Sequence, residues 1–181
     1  MFVSKAKLKF NFISFFLQRK YIKDTMKSDR FFLKKAIKLA AEGISEGKGP
    51  FSALITMDTK IISEASNMVV STHDPTAHAE ILAIRNASAS LGTHDLSGCV
   101  IYTSCEPCPM CLGAIYWAGI KRVVYASGRN DAAEAGFNDS FIYDEIVLDP
   151  GKRKIDFIRM KDAGGEEVFK NWIDFEGKIP Y

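Results

Sequence analysis

The chain has 181 residues, of which 47% are hydrophobic and 25% are charged. This balance is typical of one globular domain with a buried core and excludes a disordered chain. The net charge of +2 is unevenly distributed, because residues 1–25 hold six basic side chains and one acidic one, which leaves 18 basic and 21 acidic residues in 26–181. A body with a net charge of −3 lacks the basic surface that binds a phosphate backbone, so we expect no nucleic-acid partner.

Residues 1–25 are predicted to be a non-catalytic leader. A basic stretch followed by apolar residues 10–17 imitates a secretory signal, but it runs into Gln18-Arg19-Lys20 without a small-residue cleavage site. We expect Met26 to be the working start, and a short anchoring or targeting helix is the alternative. The sequence contains no run of about twenty apolar residues, so no membrane span is predicted. The four cysteines, three of them clustered, indicate metal chemistry in a reducing cytoplasm.

Hydrophobic periodicity predicts alternating helices and strands. A first helix begins at Asp29, with Asp29 or Ser28 as its N-cap, and ends at residues 47–50. Two β-rich runs, 51–57 and 60–65, flank Asp58-Thr59 as a hairpin. The later elements are a helix from Pro75 to about Leu91, a strand at Gly98–Thr103, a helix at Pro109–Ala118, a strand at Lys121–Ala126 and helical residues 132–148. This order predicts an α/β fold, a three-layer α/β/α sandwich whose central mixed sheet has helices on both faces.

Two short motifs at helix starts supply candidate metal ligands. Cys108 and Cys111 are three residues apart, so two thiolates on one helical face can converge with the imidazole of His78 on one zinc ion per chain. Three protein ligands leave a position for water, as in catalytic zinc sites. Glu80 lies two residues after His78, on a different side of the helix, and is therefore predicted to move protons.

His-x-Glu followed by Pro-Cys-x-x-Cys is the signature of zinc-dependent nucleobase deaminases. The alternative is a closed structural site in which Cys105 is the fourth ligand, since Cys₃His zinc sites are common. In that case the chain would be a zinc-stabilised binding module without catalysis.

Residues 74–80, 103–111 and 130–139 carry a resemblance to the cytidine deaminase-like superfamily, and specifically to its small bacterial guanine deaminases. The first two stretches are shared with tRNA adenosine and cytosine deaminases, and the third points to guanine. The resemblance covers residues 29–181 and implies hydrolysis of guanine to xanthine and ammonia in purine catabolism or salvage. Guanosine, cytosine, another aminated heterocycle and adenosine in tRNA remain alternative substrates.

The resemblance also assigns roles to single residues. It implies the zinc ligands already named, Glu80 as proton shuttle and Asp139 as a second catalytic carboxylate, and it implies substrate contacts from Asn67, Phe51, Ala79, Trp117 and Tyr181. Read from the residues alone, Asp139 is more readily a helix N-cap, whereas Asn67 is equally a turn residue and Trp117 equally a core residue.

The family further implies a homodimer. The deaminase domain would span residues 26–181, and the C-terminal segment from about residue 150 would exchange with the partner and place Tyr181 over the substrate. Ser52 departs from the glycine that the family usually has after Pro-Phe. We expect this serine to narrow the pocket floor or to shift the purine.

Overall fold

The structure, a computed structural model, describes residues 5–161 and 163–180. They divide into two compact units, one ending at Arg129 and the other beginning at Asn130. The first unit contains α1 (Lys5–Ser45), β1 (Ser52–Met57), β2 (Lys60–Ser66), α2 (Val69–Thr72), α3 (Ala79–Leu91), β3 (Cys99–Cys105), α4 (Pro109–Trp117) and β4 (Arg122–Ser127). After α5 (Arg129–Glu134) at the boundary, the second unit contains α6 (Ser140–Ile146), a 3-10 turn (Pro150–Lys152) and α7 (Gly165–Asp174).

Four strands of the first unit form one mixed sheet in the order β2-β1-β3-β4. Strand β1 pairs antiparallel with both β2 and β3, whereas β4 runs parallel to β3. The hairpin predicted around Asp58 is confirmed, and Asp58 adopts a φ of 55° at its turn. The parallel pair places the loops after β3 and β4 at the same sheet edge, where open α/β folds bind ligands.

Helices cover both faces of this sheet. Phe32 of α1 packs with Leu54 and Tyr102 on one face. On the other face, Ile55 and Ile101 join the core formed with α3 and α4, in which the α3 members that line up along the helix are Ala79, Ala83 and Ala87. Alternate residues of β1 therefore serve opposite layers, and the predicted three-layer sandwich is confirmed.

The predicted start of the first helix is wrong. Helix α1 begins at Lys5, not near Asp29, and no glycine or proline interrupts residues 5–42. Asp29 lies inside the helix, and its carboxylate accepts hydrogen bonds from both terminal nitrogens of Arg122 and from the Tyr102 hydroxyl. A tertiary ion pair therefore uses the carboxylate that was expected to cap the helix.

Two further boundaries differ from the prediction. Helix α3 begins at Ala79, because Pro75 belongs to a turn rather than to the first helical turn. The helical residues predicted at 132–148 are two short helices, since Gly136 between them has a φ of 92°, which ends the first. No helix of the described residues has the length and apolarity needed to cross a bilayer.

Candidate metal centre

Two helix N-caps present the predicted metal ligands. His78 is the N-cap of α3 and Cys108 is the N-cap of α4, and both have extended backbone angles. Neither side chain caps its own helix, although this is what N-cap side chains usually do. The imidazole and the thiol instead face each other. Pro109 at the first position of α4 pre-sets the helical φ there.

The three side chains form a triangle of donor atoms. Nδ1 of His78 is 3.6 Å from Sγ of Cys108 and 3.6 Å from Sγ of Cys111. Zinc bonds of about 2.3 Å to sulfur and about 2.0 Å to nitrogen at tetrahedral angles give an N–S separation of about 3.6 Å. One Zn²⁺ therefore fits this donor set, and among the described residues no fourth His, Cys, Asp or Glu joins the cluster.

The pKa values of the Cys108 and Cys111 thiols are shifted in opposite directions. A hydrogen bond from the Cys111 side chain lowers the pKa of Cys108 to about 4. The same hydrogen bond, together with burial and the nearby Glu80 carboxylate, raises the pKa of Cys111. The lowered pKa favours the thiolate form of Cys108, whereas the raised pKa of Cys111 favours a proton that metal binding would release.

Glu80 lies beside the triangle without belonging to it. Its residue is only 8% exposed, and it occupies the first turn of α3. Burial raises the pKa of its carboxyl, and a hydrogen bond from Cys111 partly opposes this rise. A buried carboxyl that can exchange a proton next to a metal site has the properties required of a general acid and base.

Cys105 does not form part of the ligand group. Its thiol donates to the backbone carbonyl of Gly128 at 3.7 Å, which ties the end of β3 to the segment after β4. None of the four cysteines forms a disulfide bond. The closed Cys₃His site is therefore not formed, and the arrangement is that of an open, three-ligand site.

Two predicted substrate-contact residues lie next to each other at the open end of the β1–β2 hairpin. Phe51 directly precedes β1, and Asn67 directly follows β2. The backbone N–H of Asn67 donates to the carbonyl of Phe51 at 2.9 Å. The side-chain oxygen of Asn67 accepts the N–H of Val69 at 3.1 Å, which is the turn role considered from the sequence. Asn67 is buried. Ala79 is fully buried in the core.

The remaining predicted site residues are less constrained. Trp117 is 71% exposed, so it is not a core residue, and it ends α4 about 14 Å along the helix from Cys108. Asp139 occupies the N-cap position of α6, but its side chain makes no capping hydrogen bond. Asn138 accepts the N–H of Ser140 there instead, at 3.0 Å. Tyr181 lies outside the described residues.

Sequence reasoning missed the turn that leads into His78. Oδ1 of Asp74 accepts both the hydroxyl and the N–H of Thr76, at 2.7 and 2.8 Å. These hydrogen bonds, the one from the hydroxyl first, hold the pKa of Asp74 below its usual value. The signal was present in Asp-Pro-Thr, since Asp followed by Pro is favoured in the first two positions of a type I turn.

The class of protein follows from this fold and site. Residues 26–127 match the family described as the cytidine and deoxycytidylate deaminase zinc-binding region, and the chain belongs to that family. The guanine deaminase of Bacillus subtilis (strain 168) is 52% identical over 151 residues, which are 83% of this chain and 97% of that protein. Its crystal structure superimposes with a TM-score of 0.81 at 51% identity, covering 84% of this chain and 98% of that one.

Two other relatives are more distant. The tRNA-specific adenosine deaminase of Aquifex aeolicus (strain VF5) is 41% identical over 97 residues, 54% of this chain and 64% of that protein. A crystal structure of the protein NE0047 in complex with 2,6-diaminopurine superimposes with a TM-score of 0.57 at 37% identity, covering 59% of this chain and 60% of that one. The NE0047 structure shares the fold of the part of the chain that it covers.

Proposed function

We propose that this chain is a zinc-dependent hydrolase that deaminates guanine to xanthine and ammonia. The observation that carries the proposal is the 52% identity with a guanine deaminase along 97% of that protein's length. The donor triangle of His78, Cys108 and Cys111 beside a buried carboxyl supports the same chemistry. NE0047 has been crystallised with 2,6-diaminopurine and with 8-azaguanine, two bases of the size of guanine.

The chemistry needs an activated water and a proton carrier. His78, Cys108 and Cys111 would hold the zinc ion, which would supply a Lewis acid able to lower the pKa of a water molecule. Glu80 takes a proton from the attacking water and passes it to a ring nitrogen of the base as the C2–O bond forms. The same carboxyl then takes the remaining proton from the hydroxyl on C2 and delivers it to the departing nitrogen, so that the C2 carbonyl forms, the C2–N bond breaks and ammonia leaves.

We assign recognition of the base to Asn67, Phe51 and Ala79. The Nδ2 group of Asn67 would donate to an acceptor on the purine edge, while its side-chain oxygen accepts the N–H of Val69. Phe51 would cover a face of the ring, and the backbone of Ala79 would bound the pocket. Asp139 is proposed as a second carboxylate near the leaving amino group, and its lack of a capping hydrogen bond is consistent with this role.

A panel of substrates tests the proposal. Purified zinc-loaded protein is incubated with guanine, guanosine, cytosine, another aminated heterocycle and a tRNA containing adenosine, and the products are separated by HPLC. We expect xanthine from guanine as the main product. Deamination of another substrate without xanthine would reject guanine, and no turnover with one zinc bound per chain would favour the binding module.

We also propose that the chain acts as a homodimer with an exchanged C-terminal segment. None of the described residues from 130 to 180 is buried, yet many are large and apolar, among them Ile155, Phe157, Ile158, Met160, Phe169 and Trp172. In the described sheet, β4 is also an edge strand. An apolar segment and an open strand edge both favour a partner chain.

Chain mixing tests this exchange. Glu80→Gln and Tyr181→Ala chains are each expected to be nearly inactive. If Tyr181 completes the partner's site, subunit exchange between them creates one intact site per mixed dimer and restores about a quarter of wild-type activity. A monomer by light scattering, or no recovery in a mixed dimer, would reject the exchange.

We place the protein in the cytoplasm, where its four thiols stay reduced.

A further inference from the structure

A tight turn at residues 74–77 directly precedes the zinc ligand His78. The carbonyl of Asp74 accepts the N–H of Ala77 at 3.0 Å, which closes a four-residue turn with Pro75 in its second position. Oδ1 of Asp74 also accepts two hydrogen bonds from Thr76, one from its N–H and one from its hydroxyl. Asp74 therefore makes three hydrogen bonds within the turn.

The end of this turn is hydrogen-bonded to the segment that follows Asn67. The carbonyl of Ala77 accepts the N–H of Met68 at 2.9 Å, next to Asn67, and Ala77 is only 2% exposed. The N–H of His78 donates to the carbonyl of Thr76 at 2.7 Å, and α3 starts one residue later. The backbone direction of His78 is consequently defined by the turn on one side and by the helix on the other.

We propose that Asp74 is a positioning residue for the zinc site, whose carboxylate holds the turn that presents the His78 imidazole to the two cysteines. Asp74 itself is not a ligand, because the group of donor atoms that lie within 4.8 Å of one another contains only His78, Cys108 and Cys111. The inference rests on the zinc site and is independent of which base is the substrate.

The expected effect is on retention of the metal. Without the Asp74 side chain the N–H and hydroxyl of Thr76 lose their acceptor, and residues 74–77 gain backbone freedom. Imidazole and thiolates are then less well pre-organised, so zinc escapes more readily. Loss of groups that orient metal ligands commonly weakens binding 10- to 100-fold, and for an effect through the backbone we expect about tenfold faster zinc loss.

The chain offers a matched control. Oδ1 of Asp95 accepts the N–H of Ser97 at 2.8 Å, which is the same kind of turn at a position that contains no zinc ligand. Asp95→Ala therefore removes an equivalent local hydrogen bond without affecting His78. Asp74→Asn keeps an oxygen that accepts both bonds from Thr76 and is expected to rescue the site.

The experiment measures zinc release from the zinc-loaded full chain into an excess of a chromogenic chelator. We expect Asp74→Ala to release zinc about tenfold faster than wild type, and Asp74→Asn and Asp95→Ala to match wild type. Cobalt-substituted Asp74→Ala should keep the wild-type d–d bands, because the three ligands are unchanged. Equal release rates for wild type and Asp74→Ala, or equally fast release from Asp95→Ala, would overturn the proposal.

A second substitution covers the case in which Asp74→Ala does not fold. Thr76→Val removes only the hydroxyl bond to Asp74 and leaves the bond from the N–H. We expect Thr76→Val to release zinc faster than wild type, but by less than the tenfold expected for Asp74→Ala. Release at the wild-type rate from this variant would count against the proposal. Guanine turnover is not used as a readout, so the outcome is separate from that of the proposed function.

Discussion

The hydroxyl of Ser52 donates a hydrogen bond to the backbone carbonyl of Ala36, sixteen residues earlier in α1. Ser52 is 1% exposed and shares its side of β1 with Leu54, which packs against α1. The serine therefore joins the helix to the sheet on the face opposite α3 and α4. The expectation that it narrows the pocket floor is wrong, since its hydroxyl is directed at α1.

Ser52→Ala should lower stability without changing substrate preference. It removes one buried hydrogen bond, and we expect the free energy of unfolding to fall by about 1 kcal/mol. Urea denaturation followed by circular dichroism measures this change. The ratio of kcat/KM for guanine to that for guanosine should stay at its wild-type value, and a shift in this ratio would show that Ser52 does reach the pocket.

Ser63→Ala is the matched control for this prediction. The Ser63 hydroxyl donates to the carbonyl of Ala83 in α3 at 2.7 Å, so it joins a helix to the opposite face of the sheet. Its loss should cost a similar amount of stability, about 1 kcal/mol. A comparable loss in both variants would assign the effect of Ser52→Ala to the helix-to-sheet hydrogen bond.

Glu80→Gln should separate catalysis from metal binding. The amide keeps the size of the side chain but cannot carry a proton between water and base. Since a positioned general acid or base typically contributes about 100- to 10,000-fold, we expect kcat to fall within this range. Zinc content by atomic absorption should stay near one per chain. Glu64→Gln, at an exposed position of β2, should retain wild-type turnover.

An unchanged kcat in Glu80→Gln would contradict the proton-transfer role. Loss of zinc from the variant would also contradict it, because Glu80 would then stabilise the ligand triangle. Both outcomes are visible in the same preparation.

Local sequence patterns predicted the sheet and the ligand triangle well. The hairpin around Asp58 and the Cys108–Cys111 spacing depend on neighbouring residues, so the sequence contains them directly. His78 required one further step: β2 and β3 both pair antiparallel with β1, so they run in the same direction and the segments that lead into α3 and α4 leave the same sheet edge.

Features that depend on distant contacts were not predictable in this way. Aspartate is a residue type that is typical of N-caps, yet the carboxylate of Asp29 forms an ion pair with Arg122, which lies 93 residues later in the chain. The direction of Ser52 depends on which face of β1 meets α1, and the serine alone does not reveal this. Pro75 permits either a helical first turn or a tight turn, and the hydrogen bonds of Asp74 select the second.

Cys105→Ser should leave the metal in place, whereas Cys111→Ser should not. Cys105 donates to the carbonyl of Gly128 and lies outside the ligand group, so a serine hydroxyl can replace its hydrogen bond. We expect about one zinc per chain in Cys105→Ser and well below one in Cys111→Ser after dialysis against a weak chelator. Equal zinc loss in the two variants would restore the closed four-ligand interpretation.

Tyr102→Phe should change how stability depends on alkaline pH. Burial, then the hydrogen bond to the Asp29 carboxylate and its charge, raise the pKa of Tyr102 above its ordinary value of 10.0. A raised pKa in the folded state means that the neutral phenol is favoured there. Its contribution to stability is therefore fully present below pH 10 and is lost as the pH rises through the folded-state pKa.

At pH 8 the substitution should cost about 1.5 to 3 kcal/mol, because the lost hydrogen bond is made to a charged group. The exposed Tyr116, changed to Phe, should stay within about 0.5 kcal/mol of wild type at this pH. Urea denaturation of wild type and Tyr102→Phe from pH 8 to pH 11 should then show the two stabilities converging. Lysine titration is common to both chains and cancels in the difference, so a constant difference across this range would mean that Tyr102 stays neutral or contributes through packing alone.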